Sequence, residues 1–216
     1  MLVIVFAFRI TDEGAYRTWI AGEIGLVELA TPVMSFIGAY IGARLFAAEW
    51  RRGALRSLRT AWIAALTLAC IYLGGEELSW GQQLVGWQTP EYIGEINDQN
   101  ETNIHNMSSW FDQKPRLLLE IWVLVGGIII PLIGYQSAAV PGLSSFRGWF
   151  WPTWDCLPTA LLAIAIRLPE RLKDVFGWSS LPYEIRYSEP QEYYFALFLL
   201  LYLASLSARL RAAKTI

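Results

Sequence analysis

Long apolar runs separated by short polar stretches dominate the chain. Four runs reach the roughly 20 residues that a helix needs to cross a hydrocarbon core, at about residues 23–46, 60–83, 117–136 and 192–210. A fifth run, 150–168, contains Pro152, Asp155 and Pro158, which a membrane helix tolerates when its neighbours satisfy the freed backbone groups. The N-terminal MLVIVFAF extends only about 12 Å as a helix and cannot cross alone. The pattern predicts an all-α integral membrane bundle of about five transmembrane helices, preceded by a short apolar segment.

Composition supports a membrane location. Hydrophobic residues make up 55% of the chain and charged residues 17%, and the mean hydropathy is +0.35. These values are too apolar for an ordinary soluble domain, so we expect one membrane domain over residues 1–216. The net charge of −2 gives no basic surface for nucleic acid. Cys70 and Cys156 lie in apolar stretches without a CxxC pair, which favours small buried side chains.

Basic residues predict the orientation. The loop 44–59 carries five arginines and a single acid, Glu49, and the C-terminal tail is also basic. The loop 87–116 carries five acids against Lys114 and Arg116. Because loops rich in Lys and Arg stay in the cytoplasm, we expect 44–59 and the C-terminus inside and 87–116 outside.

Two carboxylates lie where the second long run should still be within the membrane. Glu76 is 16 residues beyond Thr60, about 24 Å along a core of roughly 30 Å. A charge there costs on the order of 3 kcal/mol, so Glu76 and Glu77 should face the bundle interior, pair with another group or stay protonated. Because adjacent helical positions point about 100° apart, the two cannot both face one partner directly. We expect the helix to continue through these residues, with Glu76, Trp80, Gln83 and Trp87 on one face. Acids at the outer ends of the first and last long helices should lie at the same level: Glu23, Glu28, Glu189 and Glu192.

The outer loop contains the only histidine, His105. Thr89 and Pro90 are typical of a helix start. Asn97, Glu101 and His105 follow at i, i+4 and i+8 and would share one helical face. We expect a short amphipathic helix over the outer mouth of the bundle.

These segments resemble the signature of an uncharacterised family of bacterial polytopic membrane proteins, EEISWGQR followed by NxQxExNxHN. Here residues 76–82 read EELSWGQ, and the second part is supplied by Asn97, Gln99, Glu101, Asn103, His105 and Asn106. The resemblance implies a multi-pass protein of the bacterial inner membrane, with loop 87–116 periplasmic and a polar site, without naming a reaction. Gln83 stands where the family pattern has Arg, and the N-terminal helix looks truncated. The expected polar cluster comprises Glu28, Glu76, Glu77, Trp80, Gln82, Asn97, Gln99, Glu101, Asn103, His105 and Asn106.

Three functions fit such a cluster. In a membrane enzyme, Glu101 or His105 would act as base and Glu76 or Glu77 as acid on a lipid or polyprenyl substrate. In a cation site, Glu28, Glu77, Glu101 and His105 would hold calcium or magnesium.

In the third interpretation, which we favour, the cluster only fixes the outer loop. The protein would then be an accessory subunit that docks onto other integral membrane subunits, for example of a respiratory or photosynthetic complex. Docking would use a Trp-rich flank and the GxxxG face of Gly38 and Gly42. Small surfaces of this kind, including the one at Gly126 and Gly127, more often serve close packing between helices of the same chain. The sequence does not identify a cofactor, and a bound lipid and a divalent cation are both compatible with the cluster.

Overall fold

Helices form all regular secondary structure in the described part of the chain. The computed structural model describes residues 1–19, 26–54, 56–94, 102–103, 109–134, 142–181 and 185–215. No strand occurs within these ranges, which confirms the all-α prediction. The helices are α1 (Leu2–Thr11), α2 (Glu13–Trp19), α3 (Leu26–Arg51), α4 (Leu58–Glu77), α5 (Gln82–Val85), α6 (Glu91–Gly94), α7 (Ser109–Trp122), α8 (Ile130–Gly134), α9 (Phe146–Phe150), α10 (Leu157–Ala165), α11 (Leu168–Phe176) and α12 (Ser188–Thr215).

Four helical segments are long and apolar enough to span a membrane. They are α3, α4, α12 and a composite segment in which a π-helical stretch, Val123–Ile129, joins α7 to α8. This confirms four of the predicted spans with shifted ends. The helix α4 ends at Glu77 instead of 83, and α7 begins at Ser109 instead of 117.

Residues 150–168, the predicted fifth span, do not form one continuous membrane-length helix. Residues 151–153 are not helical, and α10 has only nine residues, about 14 Å, before α11 begins. Proline explains both interruptions, because it lacks the N–H that a continuing helix needs and favours the first turn of a new one. Pro152 lies in the non-helical stretch, and a proline stands in the first turn of both α10 and α11.

The N-terminal segment is a short packed helix, as its length predicts. The ten residues of α1 cover about 15 Å. Val5 is buried in a small cluster with Tyr16, Ile166, Ile185 and Tyr187. The apolar residues of α1 therefore pack against the connection that leads into α12.

Glycines bring the long helices into close contact. A Cβ atom on Gly42 would lie 2.3 Å from Thr67 Oγ1, and one on Gly38 would lie 3.1 Å from Cys70 Sγ. The GxxxG face therefore packs against α4 within the chain. Its predicted use as a surface for docking other proteins is wrong, because α4 already occupies it.

The π-helical stretch accommodates another close approach. A Cβ atom on Gly126 would lie 2.7 Å from the Trp151 ring, and one on Gly127 would lie 2.6 Å from Ala160 Cβ. These two glycines let the non-helical residues 151–153 and the helix α10 pack directly against the third spanning segment. The prediction that they form a small packing surface is confirmed.

The last helix, α12, is the most buried spanning segment, with 56% of its apolar window inside the protein. Phe195, Phe198 and Tyr202 belong to the main core, where Trp122 packs edge-on against Phe198 and Tyr202. Trp62 of α4 donates to the Tyr202 hydroxyl at 3.0 Å.

Charged side chains distinguish the two ends of the bundle. At one end Glu49, only 2% exposed, accepts from Arg59 at 2.5 Å and from Arg52 at 3.3 Å. Arg59 also donates to the Leu143 carbonyl at 3.2 Å. We call this the arginine end. At the opposite end an ion pair between Arg116 of α7 and Glu192 of α12 joins two helices, and we call it the carboxylate end.

Candidate functional site

The helix α4 stops at its pair of glutamates. Ser79 and Trp80 have φ values of 46° and 55°, in the left-handed region that side chains other than glycine seldom adopt. The Trp80 indole turns back over Gly75 and donates to Glu76 Oε1 at 2.5 Å. The expectation that Glu76, Trp80, Gln83 and Trp87 share one continuous helical face is therefore wrong. The indole–carboxylate bond favours a sharp turn there instead.

Gln82 connects this turn to the following loop. Its side-chain amide donates to Thr89 Oγ1 at 2.8 Å and to the Trp87 carbonyl at 3.1 Å, and its Oε1 accepts from the Thr102 N–H at 2.5 Å. Trp87 Nε1 also donates to Thr102 Oγ1 at 3.1 Å. The side chain of Asn103, the next residue, is 2% exposed. Gln82 and Asn103, both expected in the polar cluster, thus lie in or beside a network that holds the loop.

The rest of the predicted cluster lies largely outside the described residues. These positions are Asn97, Gln99, Glu101, His105, Asn106 and the side chain of Glu28. Glu23, predicted to lie at the same level, is also outside the described residues. The predicted helix start at Thr89 and Pro90 agrees with α6 to within a residue, because Ile93 N donates to the Pro90 carbonyl at 2.9 Å. The proposed shared face of Asn97, Glu101 and His105 stays a prediction.

A cleft opens between α4, α7 and α12 at the carboxylate end. Its volume is about 440 Å³, and most of its wall is apolar: Ala65, Leu68, Ala69, Leu73, Leu119, Phe195 and Leu199. The polar end is lined by Glu76, Glu77, Arg116 and Glu192. Glu76 is 5% exposed, so one of these carboxylates is almost fully removed from solvent. The cleft therefore combines a long apolar part with a small charged end, formed by Glu76, Glu77, Arg116 and Glu192, which we call the head region.

Arg116 is the site residue that sequence reasoning missed as a counter-ion. It is paired with Glu192, which was expected at the same level as Glu76 and Glu77. The available signal was its position directly before the long apolar run 117–136. The other acids near this end have separate partners: Glu189 pairs with Arg186 at 3.0 Å, and Glu120 of α7 pairs with Arg171 of α11.

The charges around the cleft limit its chemistry. Three carboxylates face one guanidinium, which suits a group that donates hydrogen bonds or carries positive charge. Within the described ranges, no three His, Cys, Asp or Glu side chains come together as a set that could hold a metal ion. Of the four candidate cation ligands, only the Glu77 side chain is described, so the cation site stays a prediction.

Comparisons with family models, curated proteins and solved structures give no match. The resemblance to the family with the EEISWGQR and NxQxExNxHN signature therefore stays a prediction.

Proposed function

We propose that the protein binds an amphiphilic molecule, a lipid or an isoprenoid lipid, in the cleft between α4, α7 and α12. The observation that carries this proposal is the 440 Å³ cleft with its apolar wall and its Glu76, Glu77, Arg116 and Glu192 end. Its volume is within the range typical of small-molecule sites, and such sites combine apolar walls with a few polar groups that fix orientation.

Selectivity would come from the head of the ligand. An acyl or prenyl chain that leaves the bilayer for this cleft exchanges one apolar environment for another, so the chain itself gains little. The head would lie beside carboxylates at a depth where a charge is costly, so groups that donate hydrogen bonds to their oxygens are favoured there. A hydroxyl or ammonium head would donate to these oxygens, whereas a purely anionic head would be repelled by the excess of carboxylates.

The predicted topology determines which side of the membrane the polar end of the cleft faces. With loop 44–59 and the C-terminus cytoplasmic and loop 87–116 periplasmic, the head region lies toward the periplasmic side of a bacterial inner membrane. Alkaline phosphatase fusions after residues 54 and 88 test this arrangement. Activity of only the second fusion supports it, and activity of the first contradicts it.

A cleft-filling variant tests the binding itself. Ala69 lines the cleft and is partly buried, so Ala69→Phe should occupy the space of the ligand chain. Ala61→Phe is the matched control, because Ala61 is exposed on the same helix outside the cleft. We expect a lipid to co-purify with the wild type and the control in mild detergent, as measured by mass spectrometry of the extract. Retention of the same lipid by Ala69→Phe would contradict the proposal.

A role as an accessory subunit is the second proposal. The segment α7–α8 has only 28% of its apolar window buried, the smallest share of the four spans. Leu118 and Ile133 are 71% and 79% exposed on it. A partner helix could cover this face. Co-purification of stoichiometric membrane subunits that are lost on Leu118→Arg would support the role.

An acid–base enzyme would use the same cleft as the first proposal. It would need Glu101 or His105 close to Glu76 or Glu77.

A further inference from the structure

A second cavity, of about 360 Å³, lies at the arginine end. It is bounded by α8, by the segment that follows α9, and by the last turns of α12. Residues from all three elements line it, including Pro131, Trp151 and Ser205. This cavity is separate from the cleft described above, because no residue lines both.

Two guanidinium groups line this cavity, those of Arg147 and Arg209. Arg209 Nη1 donates to the Gly148 carbonyl at 2.5 Å, which fixes its position relative to α9. One carboxylate, Asp155, also lines the cavity, and its Oδ2 accepts from Thr153 Oγ1 at 3.2 Å. The balance is therefore cationic, the reverse of the cleft at the carboxylate end.

Hydroxyl groups and aromatic rings complete the lining. Thr153 Oγ1 and Ser205 Oγ lie 2.9 Å apart, across the contact between the non-helical segment and α12. Pro131, Trp151 and Trp154 form apolar wall. Guanidinium donors recognise phosphate oxygens, and an apolar wall beside them suits a phosphate attached to a hydrocarbon chain.

The backbone around this cavity supports the same inference. Residues 151–153 are non-helical yet contact Gly126 of a spanning segment and Ser205 of another. Irregular backbone at membrane depth is tolerated where it is buried in protein or lines a cavity. Here it does both, and it places Thr153 beside the arginines.

We propose that this cavity binds the phosphate group of an anionic phospholipid, held by the guanidinium groups of Arg147 and Arg209. Basic cavities between membrane helices on the cytoplasmic side bind anionic headgroups, and the arginine end is the one predicted to face the cytoplasm. The apolar wall favours the lipid over free phosphate as the source of the group.

Titration of the delipidated protein in uncharged detergent tests the site. Phosphatidylglycerol is added in mixed micelles, and the increase in Tm gives the half-saturating lipid concentration. Arg147→Gln should raise that concentration about fivefold, because each arginine near an anionic lipid contributes about that factor. Arg51→Gln is the matched control: Arg51 is exposed at the same end and does not line the cavity. Arg147→Lys keeps the charge and tests the site if Arg147→Gln does not fold.

The proposal requires a higher half-saturating concentration of phosphatidylglycerol for Arg147→Gln than for the wild type. Arg51→Gln should have the wild-type value, and Arg147→Lys should lie between the wild type and Arg147→Gln. An equal loss for both glutamine variants would show general charge attraction and overturn it. Equal stabilisation by phosphatidylcholine would overturn the preference for an anionic head. Equal stabilisation by inorganic phosphate alone would identify free phosphate as the ligand and overturn the assignment to a lipid.

Discussion

Gln82 offers a sharp test of how the outer loop is held. Its side chain makes three hydrogen bonds, to Thr89, to the Trp87 carbonyl and from the Thr102 N–H. Gln82→Ala removes all three without changing charge. The neighbouring residue gives the control, because Gln83 is exposed and its side chain makes no such hydrogen bond to the part of the chain that the structure describes.

The expected size of the effect follows from the number of bonds and the exposure of the site. Each protein hydrogen bond contributes about 1 kcal/mol net, but Gln82 is only half-buried and water replaces part of the loss. We therefore expect Gln82→Ala to lower the free energy needed to detach the loop from the end of α4 by about 2 kcal/mol. That corresponds to about a 30-fold rise in the population in which residues 102–103 detach.

Hydrogen exchange at the Thr102 amide measures this population, since that N–H is itself bonded to Gln82. Exchange should accelerate about 30-fold in Gln82→Ala and stay at the wild-type rate in Gln83→Ala. An unchanged rate in Gln82→Ala, or equal acceleration in both variants, would refute the idea that this amide holds the loop.

Three further outcomes follow from the packing. Glu49→Gln should lower the free energy of unfolding by about 3 kcal/mol, because it leaves the partly buried Arg59 without its charge partner. Thermal unfolding measures this change, and Glu13→Gln is the control because the Glu13 side chain is half-exposed. Gly42→Leu should abolish the folded yield in detergent, since even a Cβ atom at this position lies 2.3 Å from a side-chain oxygen of α4; folded protein at the wild-type yield would contradict the close contact. Burial raises the pKa of the Cys156 thiol to about 12, so maleimide should label it only after unfolding in SDS, and fast labelling of the folded protein would contradict its burial.

The spanning helices were predictable because their cause is local. A run of about 20 apolar residues is sufficient for a membrane-length helix, and four such runs form one. The fifth run is also mainly apolar but is interrupted at residues 151–153, where Trp151 and Pro152 pack against Gly126. Composition shows that a segment is apolar, whereas tertiary contacts decide whether a proline bends a helix or ends it.

The candidate site was predictable in residue type more than in geometry. The position of Glu76 and Glu77 within an apolar run indicated a buried polar site, and Glu76 is indeed buried beside a cleft. The turn at Ser79 and Trp80 was not predictable, because it depends on an indole reaching back to Glu76. Arg116 was missed as a partner because its ion pair joins helices that are far apart in sequence.

The π-helical stretch between α7 and α8 has a consequence for which residues can reach each cavity. A π turn takes one residue more than an α turn, so everything beyond it is rotated by about one position, roughly 100°. Leu119 before the stretch lines the acidic cleft, and Pro131 after it lines the basic cavity. Leu119 and Pro131 are 12 positions apart, which in an uninterrupted α-helix would turn them about 120° from each other, so the extra residue brings them to nearly the same side of the segment. Losing a single residue from 123–129 would turn Pro131 by about 100°, away from the basic cavity, while Leu119 stayed in place.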